Sequence, residues 1–159
     1  MPKPNAYIET TIPNFYYDTR PESEMVARRV WTREWWGTAH EHYELITSDA
    51  VVEELEAGTS ERVPLRMALI KDLRVLNVSA AVLATVQVYM RHKLMPTKPS
   101  GDALHLALAS HYECDFIVTW NCRHLANANK FAHIRKINTM LGLSVPEIVT
   151  PQELLRRDR

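Results

Sequence analysis

The sequence predicts an α/β fold in which a mostly parallel sheet is flanked by helices. Short β-prone runs alternate along the chain with longer segments of helical periodicity, and this alternation indicates crossover connections between parallel strands. Of the 159 residues, 46% are hydrophobic and 24% are charged, as in an ordinary soluble globular protein. No linker, repeat or low-complexity segment interrupts the pattern, so we expect a single domain over residues 1–159.

Five short apolar runs predict the strands. Most are bounded by charged residues, by Pro or by residues typical of turns, and residues 116–119 give the strongest strand pattern. The first run ends at Glu9, and we expect residues Thr10 to Pro13 to end the strand there. The predicted strands cover residues 6–8, 45–47, 74–78, 116–119 and 147–149.

Helical periodicity fills the segments between these strands. Ser48 or Asp49 and, further along, Ser79 are good N-cap residues at predicted helix starts. Asp102 begins a later helix, where its negative charge interacts favourably with the helix dipole. The predicted helices cover residues 21–42, 50–57, 64–72, 80–93, 103–112 and 128–141 and a last segment that begins at Pro151, with a loop rich in helix breakers at 96–101.

Composition excludes several classes of protein. The 19 basic and 19 acidic residues cancel, so only local basic patches could attract nucleic acid. Two cysteines, Cys114 and Cys122, make neither a disulfide framework nor a four-ligand zinc site, and we expect reduced thiols. No apolar run approaches the roughly 20 residues of a membrane span. The N-terminal residues lack the apolar core of a signal peptide, so we expect a cytoplasmic protein.

Polar residues follow the predicted strands at the edge where ligands bind in open α/β sheets. Glu9 comes directly after the first strand, and Asn121 directly follows the fourth. Glu53 and Glu54 lie on the helix after the second strand, and Asp102 lies in the first turn of the helix before the fourth. Carboxylates and an amide from four distant segments are therefore expected to converge at one edge of the sheet.

Such a carboxylate cluster suits a hard divalent cation. Clustered carboxylates repel one another unless a cation lies between them, and oxygen ligands favour Mg²⁺ or Mn²⁺ over zinc. A metal held in this way supports phosphodiester hydrolysis. Taken alone, each acid could equally be a helix cap or a solvated charge. His105, three residues after Asp102, is expected to be a partly buried polar residue that the chemistry does not need.

Four motifs and the end of the chain resemble those of PIN domains. The first is a strand that ends in an acid followed by Thr, and the second contains the glutamate before Leu that matches Glu54. The third is an Asp, here Asp102, that opens an Ala-rich helix. The matching segments are residues 7–13 (YIETTIP), 48–55 (SDAVVEEL), 101–109 (GDALHLALA), 115–121 (DFIVTWN) and 148–154 (IVTPQEL).

The resemblance implies a PIN-like three-layer fold and a function. Single-domain ribonucleases of the VapC toxin type are the relatives it indicates, so it implies RNA cleavage with Mg²⁺ or Mn²⁺, an antitoxin partner and a homodimer. It implies that Glu9, Glu54 and Asp102 hold the metal and that these three residues and Asn121 form the catalytic set.

Two positions depart from the family pattern. Glu9 stands where most members have Asp, and Asn121 stands where many have a further Asp. These departures keep a second hypothesis open, a catalytically degenerate PIN-fold protein that acts as an RNA- or protein-binding module. Carboxylates alone also fit a metal-dependent DNA nuclease or phosphatase.

Thr11, Trp120 and Arg123 are the candidate substrate-binding residues. Thr11 suits either a metal-bound water or phosphate oxygen or a turn cap. Trp120 is adjacent to Asn121 and could contact substrate, whereas Arg123 suits an RNA phosphate or a solvated loop charge.

The helix predicted over residues 21–42 carries three tryptophans and a basic face. We expect the aromatic part, Trp31, Trp35 and Trp36, to lie in the core or in a dimer interface. The basic face suits solvent, RNA or an acidic antitoxin segment, and it consists of Arg28, Arg29 and Arg33.

Overall fold

A five-stranded parallel sheet forms the centre of the protein in a computed structural model that describes residues 2–95 and 101–158. The strands are β1 (Asn5–Ile8), β2 (Glu44–Ser48), β3 (Arg74–Leu76), β4 (Phe116–Val118) and β5 (Glu147–Val149). Their order is β3-β2-β1-β4-β5, and every neighbouring pair is parallel. The predicted parallel sheet is confirmed, with β3 two residues shorter than expected.

Helices connect the strands, and the predicted N-caps are present. The Ser48 hydroxyl accepts the N–H of Val51, and the Ser79 hydroxyl accepts that of Val82. Gly142, at φ +72°, follows the last long helix in the left-handed conformation that glycine tolerates best. The helices are α1 (Thr11–Tyr16), α2 (Ser23–His42), α3 (Asp49–Glu56), α4 (Val63–Ile70), α5 (Ala80–Arg91), α6 (Gly101–His111), α7 (Ala128–Met140) and α8 (Pro151–Arg157).

Helix α1 is absent from the sequence prediction, which had only a break at residues 10–13. Pro13 is compatible with a helix there because it lies in the first turn, where its missing N–H costs no helical hydrogen bond. The Glu9 carboxylate accepts the N–H of Thr11 at 3.0 Å and so satisfies one of the donors at this helix end. The predicted loop at 96–101 falls mostly outside the described residues, and Gly101 is the first residue of α6.

The strand order places a switch point beside β1. The chain runs outward from β1 through β2 to β3, then returns to add β4 and β5 on the other side. Right-handed crossovers therefore put the helices that connect β1 to β3 and those that connect β3 to β5 on opposite faces. Helix α8 follows the last strand and packs against α2. The crevice between β1 and β4, beyond their carboxyl ends, is where such sheets bind ligands.

The aromatic residues of α2 pack within the chain. Trp35 is fully buried, while Trp31 and Trp36 are partly buried against the core. Helix α2 packs against α1 and α8. The tryptophans proposed for a dimer interface thus pack mainly against residues of the same protomer, because α2 lies between two other helices.

Two other expectations concern the cysteines and the membrane. Cys114 is buried and Cys122 is exposed, and neither forms a disulfide. Within the described part of the chain, no helix combines the length and apolar character needed to cross a membrane.

A buried polar cluster joins α5, α6 and α7 behind the sheet. The Asn138 side chain accepts the Tyr89 hydroxyl at 2.6 Å and donates to the Ser110 hydroxyl and the Ser144 carbonyl, both at 2.9 Å. Burial raises the pKa of Tyr89 to about 12, so its hydroxyl keeps the proton that it donates. Three helices are therefore tied together by one fully buried amide.

We expect Asn138→Ala to lower the free energy of unfolding by about 2–4 kcal/mol, because it leaves buried polar groups without partners. Asn129→Ala, at an exposed position of the same helix, is the matched control and should change stability by less than about 0.5 kcal/mol. Urea unfolding followed by circular dichroism measures both. Equal unfolding midpoints for the two variants would show that the Asn138 side chain does not stabilise the packing of the three helices.

Candidate active site

Glu9 lies directly after β1 and is almost completely buried, with 3% of its surface exposed. Its Oε1 atom accepts hydrogen bonds from the Thr11 backbone N–H at 3.0 Å, the Thr11 hydroxyl at 2.5 Å and the Thr119 hydroxyl at 2.7 Å. Burial raises the pKa of Glu9, although His105 and the two hydroxyls oppose that shift. The fold thus holds this carboxylate in a fixed orientation at a cost in solvation.

His105 lies on α6 and is 1% exposed. Its Nε2 is 2.7 Å from Glu54 Oε1, and its Nδ1 is 2.6 Å from the Tyr7 hydroxyl. Among the described residues Nε2 has no aligned hydrogen-bond acceptor, so the contact with Glu54 is an ion pair of the protonated ring rather than a linear hydrogen bond. The Tyr7 hydroxyl is 2.7 Å from the Ser48 hydroxyl, which gives the phenol an acceptor for its own proton.

His105 is surrounded by negative charge. Burial lowers its pKa, but Glu54, Glu9 and Asp102 more than compensate, and the net shift of the His105 pKa is upward. With both ring nitrogens protonated, Nδ1 donates to Tyr7, and Tyr7 in turn donates to Ser48. The upward shift of the His105 pKa favours the imidazolium form, which these contacts accommodate.

Glu54 reaches the site from α3, and its side chain is 39% exposed. A Cβ atom at Gly101 would come within 2.3 Å of Glu54 Oε1, so the glycine provides the space that the carboxylate occupies. Burial raises the pKa of Glu54, yet His105 and the Thr10 hydroxyl outweigh it and the net pKa is lowered. Glu54 is therefore held as a carboxylate against His105 and the start of α6.

Asp102 and Asn121 form a hydrogen-bonded pair. Asn121 Nδ2 donates to Asp102 Oδ1 at 2.7 Å, while Asn121 Oδ1 accepts the His124 N–H at 3.2 Å. The Asn121 backbone N–H donates to the Thr119 hydroxyl, which itself donates to Glu9. Asn121 therefore presents its amide N–H group to Asp102, and its oxygen is engaged within its own loop.

The structure brings together the four residues that the sequence proposed as catalytic. Thr119 and Asn121 link Glu9 to Asp102 through hydrogen bonds, and His105 links Glu54 to both through charge. Glu9 and Asn121 follow the carboxyl ends of β1 and β4, as the switch point of the sheet predicts. Asp102 lies in the first turn of α6, and Glu54 lies in the second turn of α3.

A model of the PIN domain family matches residues 7–130, which is more than half of the chain. The chain belongs to the PIN domain family. Its motifs at residues 7–13, 48–55, 101–109 and 115–121 all lie within that match.

Two solved structures have the same fold as this PIN domain. One, a toxin–antitoxin complex from Klebsiella pneumoniae, matches with a TM-score of 0.55 and 18% identity over 79% of this chain and 94% of that chain. The other, VapBC2 from Rickettsia felis bound to a DNA fragment from their promoter, matches with a TM-score of 0.57 and 13% identity over 91% of this chain and 97% of that chain. None of the curated proteins matches the sequence. At these identities the likeness establishes the fold alone.

PIN domains are generally nucleases that use divalent metal ions, so the fit of such an ion can be examined. Across residues 2–95 and 101–158, no three His, Cys, Asp or Glu side chains are gathered closely enough to hold a metal. In those residues the second carboxylate oxygens of Glu9 and Asp102 accept no hydrogen bond. Mg²⁺ needs only one or two protein carboxylates because it keeps several waters. The residues fit such a site, but not the expected three-carboxylate cage, because Glu54 is paired with His105.

The candidate substrate-binding residues occupy different environments. Thr11 supports Glu9, and its hydroxyl also accepts the Trp120 N–H at 2.8 Å. Trp120 is only 5% exposed, and its indole donates to Thr32 and stacks on Trp31 at 6.0 Å. Arg123 is exposed in the loop after Asn121. Of the three, Arg123 is the one whose side chain is available to a phosphate, and Trp120 serves packing because its ring is covered.

The basic face of α2 is used largely within the chain. Arg28 lies over the Trp120 ring at 5.2 Å and donates to the Trp120 carbonyl at 3.3 Å. Arg29 and Arg33 donate to the carbonyls of Asp18 and Tyr16. These guanidinium groups therefore fix the loops next to α2.

From its sequence position His105 is expected to be a partly buried polar residue that the chemistry does not need, but the structure places it among the carboxylates. The spacing from Asp102 was the available signal, since residues three apart on a helix share a face. Nothing in the local sequence indicated Gly101, whose role depends on contact with α3.

Gly101→Ala tests whether the glycine makes room for Glu54. The new Cβ should push the flexible Glu54 carboxylate away from His105 and lower the pKa of His105, because the nearest negative charge moves off. Titration of the His105 ring by NMR measures this shift. Gly37→Ala, where a Cβ meets nothing within 4 Å, is the control and should leave the His105 pKa unchanged. An unchanged His105 pKa in Gly101→Ala would mean that Glu54 does not depend on the glycine.

Proposed function

We propose that this PIN domain is a divalent-metal-dependent endoribonuclease that hydrolyses RNA phosphodiesters. The observation that carries the proposal is the pair of carboxylates, Glu9 and Asp102, which lie linked at the switch point with one oxygen each free of hydrogen bonds in the described structure. Hard oxygen ligands of this kind suit Mg²⁺ or Mn²⁺. Glu9 and Asp102 would hold the ion, with Glu54 acting through a water.

The bound ion would lower the pKa of a coordinated water and neutralise charge that develops on the phosphate. The protein's own residues set the conditions for this. Thr11 and Thr119 fix the direction of the Glu9 carboxylate, and the Asn121 amide fixes that of Asp102. Each ligand is thus held by hydrogen bonds, as metal sites require.

His105 serves as a positioning residue in this proposal. Its positive charge offsets part of the repulsion among the carboxylates and keeps Glu54 at the site. Tyr7 and Ser48 hold the ring in place from the opposite side. Arg123, exposed beside Asn121, would contact a phosphate of the RNA strand.

We further propose that the enzyme is the toxin of a type II toxin–antitoxin pair and acts in the cytoplasm as a homodimer. The two structures of the same fold are described as a toxin–antitoxin complex and as VapBC2, and this supports an antitoxin protein as partner.

A second candidate is a degenerate PIN-fold module that binds RNA or protein without cleaving. Two observations favour it: Asn121 brings no charge to the site, and no three metal-ligating side chains are gathered in the described residues. Cleavage separates the two candidates.

We expect the purified protein to cleave labelled RNA in Mn²⁺ or Mg²⁺ and to lose this activity on addition of chelator. Asp102→Asn should reduce the rate by on the order of a hundredfold or more, because metal-ion catalysis supplies several kcal/mol. Asp72→Asn is the matched control, since Asp72 is exposed before β3 at the opposite edge of the sheet, and it should keep full activity.

Gel analysis of the RNA products measures these rates. RNA binding without cleavage in every metal tested would favour the binding module. Cleavage that resists chelator, or that survives in Asp102→Asn, would contradict the proposed metal site.

A further inference from the structure

A polar cleft lies beside α1. It encloses about 340 Å³ between α1, the segment that follows α1, and the beginning of α4. Helices α1 and α4 pack against each other at this place. The lining residues are Asn14, Asp18, Thr19, Arg20, Arg62 and Arg66.

Positive charge dominates this arginine cleft. Three guanidinium groups face a single carboxylate, Asp18, and Arg20 already engages both oxygens of that carboxylate at 2.5–3.2 Å. In the described structure the Arg62 guanidinium group donates only to the neutral Thr19 hydroxyl, at 3.0 Å. The Nε atom of Arg66 is buried and has no acceptor in the described structure. The cleft therefore contains a buried donor without an acceptor, and guanidinium groups without a paired carboxylate, among the residues that the structure describes.

An anion in the cleft would neutralise the unpaired positive charge and would accept the free N–H groups. Arg62 and Arg66 lie four residues apart at the start of α4, where like charges destabilise each other. Burial and then the neighbouring Arg62 lower the pKa of Arg66, against the effect of Asp18. The planar fork of a guanidinium group matches the oxygens of a phosphate in particular.

Helix α1 connects this cleft to the carboxylates. Thr11, at the start of α1, holds Glu9, and Asn14, three residues later, lines the cleft. Three residues of α-helix rise about 4.5 Å, so the backbone positions of Thr11 and Asn14 are about one turn apart. A strand with its scissile phosphate at the carboxylates would carry another phosphate within reach of the arginines.

We infer that Arg62 and Arg66 form a binding subsite for an RNA phosphate next to the scissile one. This inference rests on the proposed function, in which RNA is the substrate. The carboxylates repel a polyanion, and the formal net charge of the chain is zero, so local cations must provide the attraction. The arginine cleft supplies them beside the site.

Binding of a fluorescein-labelled single-stranded RNA to the full chain tests the subsite. Asp102→Asn in the background prevents cleavage, and anisotropy gives the affinity between about 50 and 200 mM salt. Arg62→Gln and Arg66→Gln should each weaken binding by on the order of fivefold to tenfold at low salt. Each should reduce the slope of log affinity against log salt by about 0.7, the value for one lost contact to a single strand.

Arg91→Gln is the matched control, because it removes the same charge from an exposed position on α5 outside the cleft, and it should change neither quantity. If a glutamine variant does not fold, Arg66→Lys replaces it. The lysine keeps the charge and loses the Nε donor, so affinity should fall while the salt slope persists.

Several results would overturn the subsite. One is that the arginine variants bind RNA as tightly as the wild type, and another is that the intact chain binds no RNA. A third is that the variants bind poly-glutamate more weakly but RNA equally well. The last result would assign the cleft to an acidic protein partner. The subsite proposal and the nuclease proposal can be disproved independently. RNA binding that depends on Arg62 and Arg66 in a wild-type chain that cleaves nothing supports the cleft alone, and cleavage with unaffected arginine variants supports the nuclease alone.

Discussion

Repulsion among three carboxylates, opposed by the buried His105 ring, is the interaction on which the site depends. Glu9, Glu54 and Asp102 all raise the pKa of His105, and the ring forms an ion pair with Glu54 at 2.7 Å. A like-charged cluster at this edge of the sheet would otherwise destabilise the fold. The hydroxyl of Tyr7, on β1, forms a hydrogen bond with the His105 ring, so a strand of the sheet fixes the position of that ring.

The parallel sheet makes this arrangement possible because its order reverses beside β1. The chain therefore leaves β1 and β4 at the same edge, where Glu9 and Thr119 meet through a 2.7 Å hydrogen bond. Helix α1 then extends from Glu9 toward the arginine cleft. In the proposed function a phosphodiester strand would run along the six-residue helix α1, from the acidic groups at its start to the arginine cleft beside it.

Local signals predicted much of the fold. The strand composition of 116–118 and the N-cap residues Ser48 and Ser79 depend on neighbouring residues, and each is present as predicted. The features that escaped prediction depend on contacts between distant segments. Helix α1 begins where a side chain before it satisfies its N–H group, and the orientation of the Asn121 amide is set by Asp102 and by the loop at His124. Trp120 looked available in sequence, yet α2 covers it.

Manganese affinity tests the proposed metal site most directly. Electron paramagnetic resonance on chelator-treated protein gives the dissociation constant of Mn²⁺ for the wild type and for Asp102→Asn, with Asp72→Asn as control. We predict saturable binding that Asp102→Asn weakens at least about tenfold and Asp72→Asn leaves unchanged, because only Asp102 would lie against the ion. Equal Mn²⁺ affinity in the wild type and Asp102→Asn would contradict the metal site.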